Sequence, residues 1–302
     1  MASTKKEILF KDRLFKGISR EGYFKVSAVK TTDVVRTAQE RHELSLLNTL
    51  LLGRTLTAAM LLASELKGEE RLKLSLEGEG PVGGIVAEAN RVGELRGYVQ
   101  QPRAELDYSD PANTIEDGLG LGLLTVTKVL YNEAEPRHST IELRESDVTT
   151  DVAHYLAQSE QVPSALLLDV QMDDDGGVSQ AGGLLIQRLP GAPDEVLETL
   201  QNRLIDFPPI GKLLEQEFYI DEIMHRACEP YEVDELDKQQ VHFFCRCNKD
   251  RFMAALSMLS LEDLQEMQGE GQEIVCHFCN EKVQVSASEV ERLINEAQAK
   301  RN

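Results

Sequence analysis

Apolar and polar positions change their spacing several times along this chain, and each change predicts an element. Residues 43–66 are apolar at most positions, interrupted by Asn48, Arg54 and Glu65. A run of this length predicts a long core helix, buried or amphipathic, that stops at Gly68, a suitable C-cap. Residues 22–29 before it read as a strand. After the helix the period drops to two. Residues 71–76 alternate, Gly78-Glu79-Gly80-Pro81 turns, residues 84–89 run apolar and 94–99 return, the pattern of strands joined by tight turns. Residues 118–131 form a further strand region, and Thr150 or Asp151 caps a short helix to Gln158. Residues 166–172 and 178–187 flank Asp173-Asp174-Asp175-Gly176-Gly177, a hairpin turn. From Pro190 the period becomes helical: residues 194–205, a break at Pro208-Pro209, then 212–225.

This order predicts an α+β chain in three parts. Residues 1–191 form a larger N-terminal α/β domain with a mixed or antiparallel sheet, 192–240 a helical linker, and 241–302 a small C-terminal module. Residues 211–241 carry nine acids against three bases, yet keep Leu213, Leu214, Phe218, Ile220, Ile223 and Met224. So acidic a segment with so little core of its own should hold its structure only while docked on a neighbour. In the last module, residues 250–259 and 261–267 read as helices, with Ser260 and Asp263 at capping-box spacing. Residues 273–275 and 283–285 read as a hairpin, and 289–298 as a closing helix.

Composition narrows the function. The chain has 302 residues and a formal net charge of −20, which argues against an electrostatic grip on nucleic acid or anionic lipid. Arg54, near the middle of the most apolar run, would be costly in a bilayer. Lys5, Lys6, Lys11, Arg13, Lys16 and Arg20 are followed by no continuous apolar stretch, so residues 1–20 are not a signal peptide. The expectation is a soluble, cytoplasmic protein. The glycines at 78, 80, 83 and 84 lack the helix and the Gly-Lys-Ser/Thr ending of a phosphate loop, and Asp173–Asp175 lack the later Glu of a calcium loop. The histidines at 42, 138, 154 and 225 suggest no catalytic partner, so no enzyme is expected.

The cysteines carry the chemistry. Cys245-Arg246-Cys247 is followed after 28 residues by Cys276-His277-Phe278-Cys279, and Cys228 stands alone upstream. Two close pairs predict one tetrahedral zinc site, each pair giving two thiolates at about 2.3 Å. A short knuckle places two ligands in advance and leaves one long loop to close. A disulfide framework belongs to small secreted domains, and a thioredoxin-like motif would sit between a strand and a helix rather than in a hairpin. His242 and His277 flank the ligands without being needed to complete four, and Cys228 reads as a bystander thiol. Some sixty residues rarely fold on an apolar core alone, so losing the metal should unfold the module. An all-thiolate site can be a structural staple or a redox switch.

With these residues in view, the chain resembles over nearly its whole length the redox-regulated 33-kDa heat-shock chaperones of bacteria, the heat-shock protein 33 family. The two cysteine pairs and their spacer match the family's zinc switch. So do Gly78-Glu79-Gly80-Pro81, Arg96-Gly97-Tyr98-Val99, Ser159-Glu160-Gln161-Val162-Pro163 and Ala181-Gly182-Gly183-Leu184-Leu185-Ile186-Gln187. Lys282-Val283 and Arg137-His138-Ser139 depart from the family pattern, but neither touches a ligand. The resemblance implies an ATP-independent holdase that protects unfolding proteins from aggregation under oxidative stress. Its reduced, zinc-bound form would be an inactive monomer. Oxidation would form two disulfides among Cys245, Cys247, Cys276 and Cys279, release zinc, unfold the linker and favour a homodimer. Met224, Met253, Met258 and Met267 would add adaptable apolar surface, although ordinary core packing explains them equally well. Two other readings are a zinc-ribbon nucleic-acid binder and a thiol-disulfide oxidoreductase. The first needs a basic face, whereas residues 241–302 hold seven Lys or Arg against ten Asp or Glu.

Ring size orders the two oxidations. Cys276 and Cys279 lie three apart in a tight turn, where Cα atoms approach within about 7 Å, near disulfide range. A bridge from Cys245 to Cys247 closes a smaller ring with less freedom to relax its dihedral. The Cys276–Cys279 bond is expected first and the Cys245–Cys247 bond second. Mass spectrometry of quenched, alkylated time points checks this, and an early species bridged 245–247 with Cys276 and Cys279 free would contradict it.

Overall fold

The computed structural model describes residues 11–107, 109, 113–269 and 271–301. It divides into two compact units between Phe244 and Cys245. Residues 1–10, half of the stretch read above as lacking a signal peptide, lie outside the described residues.

The first unit is built on two sheets. In the five-stranded one the order is β10 (Val233–Gln240), β1 (Arg13–Ser19), β2 (Phe24–Lys30), β9 (Val178–Arg188) and β8 (Ser164–Met172), with all neighbours antiparallel. The six-stranded one runs β11 (His242–Phe243), β5 (Glu94–Val99), β4 (Gly84–Asn90), β3 (Arg71–Gly78), β6 (Gly122–Val129) and β7 (Arg137–Glu142). Here only β11 on β5 is parallel. The mixed and antiparallel α+β class expected from the periodicity is the one observed.

Between the sheets lies the apolar helix α2 (Leu46–Ala63). It packs on both, with Leu47, Leu51, Leu52, Leu56, Met60 and Leu61 at 0–1% exposure in one core with Leu14 and Val29 of one sheet and Leu74, Leu76 and Ile85 of the other. By length and composition this helix could cross a membrane, but 83% of it is buried within the fold, as a helix apolar all round must be in a protein core. It starts at Leu46 and not at residue 43, because Ser45 caps it by accepting the Asn48 N–H. Glu43 instead ends a preceding helix, α1 (Thr32–His42), in a left-handed conformation with φ 50°. That helix escapes the periodicity because its buried face holds only Thr32, Val34, Val35 and Ala38 among polar neighbours.

Other local expectations shift for identifiable reasons. The strand read at 118–131 begins at Gly122, after a 3₁₀ turn over Ile115–Gly118. Helix α3 (Val148–Gln158) is capped by Asp147, which accepts the Thr150 N–H at 2.9 Å, and not by Thr150 or Asp151. Asp151 is buried and accepts the Arg144 N–H. The aspartate turn is satisfied internally, Asp173 accepting from the N–H groups of Asp175 and Gly177. Gly78 and Gly80 serve backbone crowding: a Cβ would stand 2.1 Å from the Leu119 carbonyl at the first and 2.5 Å from that of Gly118 at the second.

Residues 192–240 cover the second face of the five-stranded sheet. Helices α4 (Asp194–Ile205), α5 (Ile210–Glu215) and α6 (Ile220–Cys228) bury Val196, Leu200, Ile210, Leu213, Ile223 and Met224 against Phe15, Phe24, Val26, Ala28, Leu184 and Ile186. The single helix expected at 212–225 is broken at Glu217, which has φ 62°. Residues 233–240, expected within a helical linker, are the edge strand β10. Beyond it the chain crosses from one sheet edge to the other. The N–H groups of Val241, His242 and Phe244 donate to the carbonyls of Asp12, Gly93 and Leu95. A Cβ on Gly93, at φ +87°, would lie 2.1 Å from the Gln240 carbonyl.

The second unit holds α7 (Lys249–Leu256), α8 (Leu261–Glu266), the hairpin β12 (Gln272–Val275) and β13 (Lys282–Val285), and α9 (Ala287–Arg301). The capping box expected at Ser260 and Asp263 is present. Its fully buried apolar core is small: Leu256, Leu264, Val285, Val290, Leu293 and Ile294.

One buried charge in the first unit sets a pH dependence. Asp12 accepts the Val34 N–H at 2.8 Å through Oδ2, while Oδ1 has no hydrogen-bond partner and the Lys30 ammonium is 4.0 Å away. Burial, reinforced by Asp33, pushes the Asp12 carboxyl up to about 7. A folded pKa raised above the unfolded one gives stability that is full below the ordinary carboxylate range and is lost as pH rises through 7. Raising pH from 5 to 8 is therefore expected to lower the thermal midpoint, and Asp12→Asn should flatten that slope. The full gap is on the order of 4 kcal/mol, of which the change from pH 5 to 8 covers roughly 3. Melting curves across pH check it, and a variant that melts in parallel with the parent would refute it.

Candidate metal centre

Two local structures converge in the second unit. Cys245 and Cys247 open it, directly after β11. Cys276 and Cys279 sit on the turn between β12 and β13, the hairpin knuckle expected from the sequence. There the Cys276 N–H donates to the Glu281 carbonyl at 2.9 Å and the Asn280 N–H to the Cys276 carbonyl at 2.8 Å. Asn280 adopts φ 56°, a left-handed position that Asn tolerates better than most residues. The turn also aims the Glu281 N–H at the Cys279 sulfur. Asn280 and Glu281 are part of the site that sequence reasoning missed. The signal available was an Asn directly after the second knuckle cysteine.

The four Sγ atoms lie within 4.8 Å of one another, and the group contains no imidazole. Cys245 and Cys276 are 3.7 Å apart and Cys247 and Cys279 3.2 Å. All are thiols, since a disulfide needs about 2.05 Å. A tetrahedron of thiolates each about 2.3 Å from one ion has edges of roughly 3.8 Å, so these residues fit such a centre. Both of these approaches run across the two pairs, so the knuckles face each other with their thiols in one group.

Electrostatics favour a cation in this group. Burial, then the hydrogen bond with Cys247, raises the Cys279 thiol well above the ordinary range. Burial and the neighbouring Cys245 and Cys276 push Cys247 up to about 11. Thiolates this close repel one another, and a dication at their centre reverses that balance. Cys276 and Cys279 are buried while Cys245 and Cys247 are partly exposed, so reagents in solution reach one edge of the group.

Cys228 stands apart from this group. It lies on α6, fully buried among Phe24, Ile223 and Val233, and burial pushes its thiol up to about 12. Such a thiol packs as a small hydrophobe and is unreactive.

Comparison with known proteins gives this arrangement its context. Residues 12–286 match the family model described as Hsp33 protein. The 33 kDa chaperonin of Carboxydothermus hydrogenoformans is 40% identical, the match covering 92% of this chain and 96% of the relative. That of Lactiplantibacillus plantarum is 38% identical, covering 94% and 97%. A crystal structure of the 33 kDa chaperonin of Thermotoga maritima, a heat shock protein 33 homolog, superimposes with a TM-score of 0.88 at 30% identity. That superposition covers 96% of this chain and 99% of the other. Family model, relatives and solved structure agree across both compact units, and the chain belongs to the Hsp33 family of chaperones.

Proposed function

We propose that the chain is a redox-regulated, ATP-independent holdase whose switch is a zinc site formed by Cys245, Cys247, Cys276 and Cys279. The observation that carries this reading is the cover on the five-stranded sheet. Phe15, Phe24, Val26, Ala28, Leu184 and Ile186 are kept from water by residues 192–240, and that cover runs by β10 and β11 straight into Cys245. We take 192–240 as a conditional linker and the residues after it as the switch module.

Zinc, when bound, supplies folding free energy, about 10–16 kcal/mol in small metal domains. Without it the module has only the six buried apolar side chains of its core. Each oxidised cysteine pair gives two electrons to a peroxide, which takes up two protons and becomes water as one S–S bond forms. Bridged sulfurs can no longer serve as anionic ligands, so the module loses its staple. Its unfolding frees residue 244 and the strands before it. The sheet face then opens to clients, which are unfolding polypeptides of no fixed sequence, and a second copy is recruited as the chain dimerises. The protein acts by holding and carries no catalytic turnover. Keeping the thiols reduced at rest requires a reducing compartment, the cytoplasm.

Metal content tests the ligand set. Serine at any of the four paired positions is expected to abolish stoichiometric zinc, while Cys228→Ser retains it. Loss of zinc on changing Cys228, with a silent paired position, would refute the assignment.

Activity is tested by light scattering from a thermally unfolding protein. Suppression is expected with peroxide-treated protein at equimolar ratio and not with the reduced form. Hydrogen exchange should meanwhile quicken over 192–240 and in β11, but not in the other five strands of the six-stranded sheet. Equal protection in both redox states sinks the switch. Reduction of insulin by catalytic amounts of the protein would replace the holdase with an oxidoreductase.

A further inference from the structure

The six-stranded sheet ends at β7, and among the described residues no strand pairs with its outer side. Register fixes which backbone groups face outward. The Leu143 N–H donates to the Gly122 carbonyl at 2.9 Å, so this opposed pair is of the hydrogen-bonded kind. Counting along the register, Leu124 with Ile141, Val126 with Ser139 and Lys128 with Arg137 are bonded pairs too. His138, Thr140 and Glu142 therefore turn their N–H and C=O away from β6. The side chains agree, because opposed residues that share no backbone bonds lie closer together. Thr125 and Thr140 hydroxyls meet at 3.0 Å, and so do Thr127 and the His138 ring. His138, Thr140 and Glu142 are all exposed.

At the C-terminal end of β7 lies a cavity of about 550 Å³ walled by Glu77, Glu79, Leu121, Leu123, Glu142 and Leu143, with no Lys or Arg in its lining. Leu121 is 75% exposed and Leu123 45%. No cation pairs with Glu77, Glu79 or Glu142 among the described residues. An uncovered edge normally invites pairing and is blunted by charge, but the centre of this one is Ser139-Thr140-Ile141.

We propose that the β7 edge takes an extended segment of another polypeptide as an added strand. An apolar side chain of that segment seats on Leu121 and Leu123, and a Lys or Arg beside it faces Glu77, Glu79 and Glu142. Charge selects this occupant, since the hollow is walled by Glu77, Glu79 and Glu142 with no Lys or Arg in its lining. Backbone bonds give affinity without regard to sequence, and the hollow adds a preference for cationic-apolar segments. The edge is open while all the cysteines are thiols, so this binding needs no oxidation and stands apart from the switch proposed above.

The test uses the full chain with zinc and reductant and a labelled ten-residue peptide of alternating Leu and Lys, read by fluorescence anisotropy. The Lys peptide should bind saturably, and the same peptide with Glu for Lys at least about tenfold more weakly. Backbone N-methylation at every second residue should cost about tenfold in one register and little in the other, the equivalent of losing two or three hydrogen bonds. Thr140→Pro, which deletes one outward N–H, should weaken binding roughly two- to tenfold with an unchanged circular dichroism spectrum. If that variant does not fold, the methylated peptides decide. Glu79→Lys with Glu142→Lys should reverse the preference toward the Glu peptide. Equal effects of both methylation registers would overturn the proposal, as would unaltered binding to folded Thr140→Pro. So would binding seen only after peroxide, which assigns the peptide to the uncovered sheet face. Self-association lost in Thr140→Pro would give the edge to a second copy and overturn it as well.

Discussion

A sheet that is apolar on both faces must be covered twice, and the two covers on this five-stranded sheet are unlike. One is α2, an uninterrupted apolar helix held between two sheets, with buried residues on every side. The other is the segment 192–240, which reaches the sheet with half its side chains acidic or polar. Burial of Phe15, Phe24 and Ile186 rewards the second cover as it does the first, at roughly 25 cal/mol per Å² of apolar area. What differs is what remains when the cover lifts. Without α2 there is no core; without 192–240 the two sheets and α2 still enclose one.

Surface ion pairs do little to fix that second cover. Arg20 meets Glu232 and Asp234 where all three are largely exposed, and such pairs contribute about 0–1 kcal/mol each; Arg91 meets Asp237 at a partly buried site. Val-Asp-Glu-Leu-Asp-Lys-Gln-Gln is also a poor strand sequence by intrinsic preference. It is a strand because β1 offers an edge and because Val233 docks beside α6. Register slips between Lys16 and Gly17, where a Cβ on Gly17 would overlap Val233, so even this pairing is irregular. Weak local preference is what the release proposed for this segment requires.

How much was legible follows from where each signal resides. The long helix, the 178–187 strand and the knuckle hairpin were visible because side-chain period or turn residues specify them locally. Strand β1 was not, because its Lys16 and Arg20 count in the sequence only as N-terminal charge. Their roles emerge only when Lys16 reaches Glu65 and Arg20 reaches the linker. Strand β10 was not, because tertiary pairing overrides its composition. The thiol cluster was almost fully legible, since two close pairs at this spacing are brought together as the sequence suggested. Its supporting N–H from Glu281 was not, because any residue can supply one.

The placement of Cys245 then follows from these inequalities. A switch works only if the event it senses costs more than the element it releases can resist. Residues 241–244 are held by a few backbone bonds, each worth about 0.5–1.5 kcal/mol net, to Asp12 and to β5 and the turn before it. One of these partners, Asp12, is a buried acid held against its preference near neutral pH. The tether is thus weaker than the folding free energy a tetrathiolate zinc supplies, about 10–16 kcal/mol. In the proposed switch, a ligand cysteine directly after so modest a clasp would join the metal's folding free energy to the end of the cover. Moving that cysteine beyond α7, Lys249–Leu256, would interpose a helix that could melt alone and leave the clasp shut.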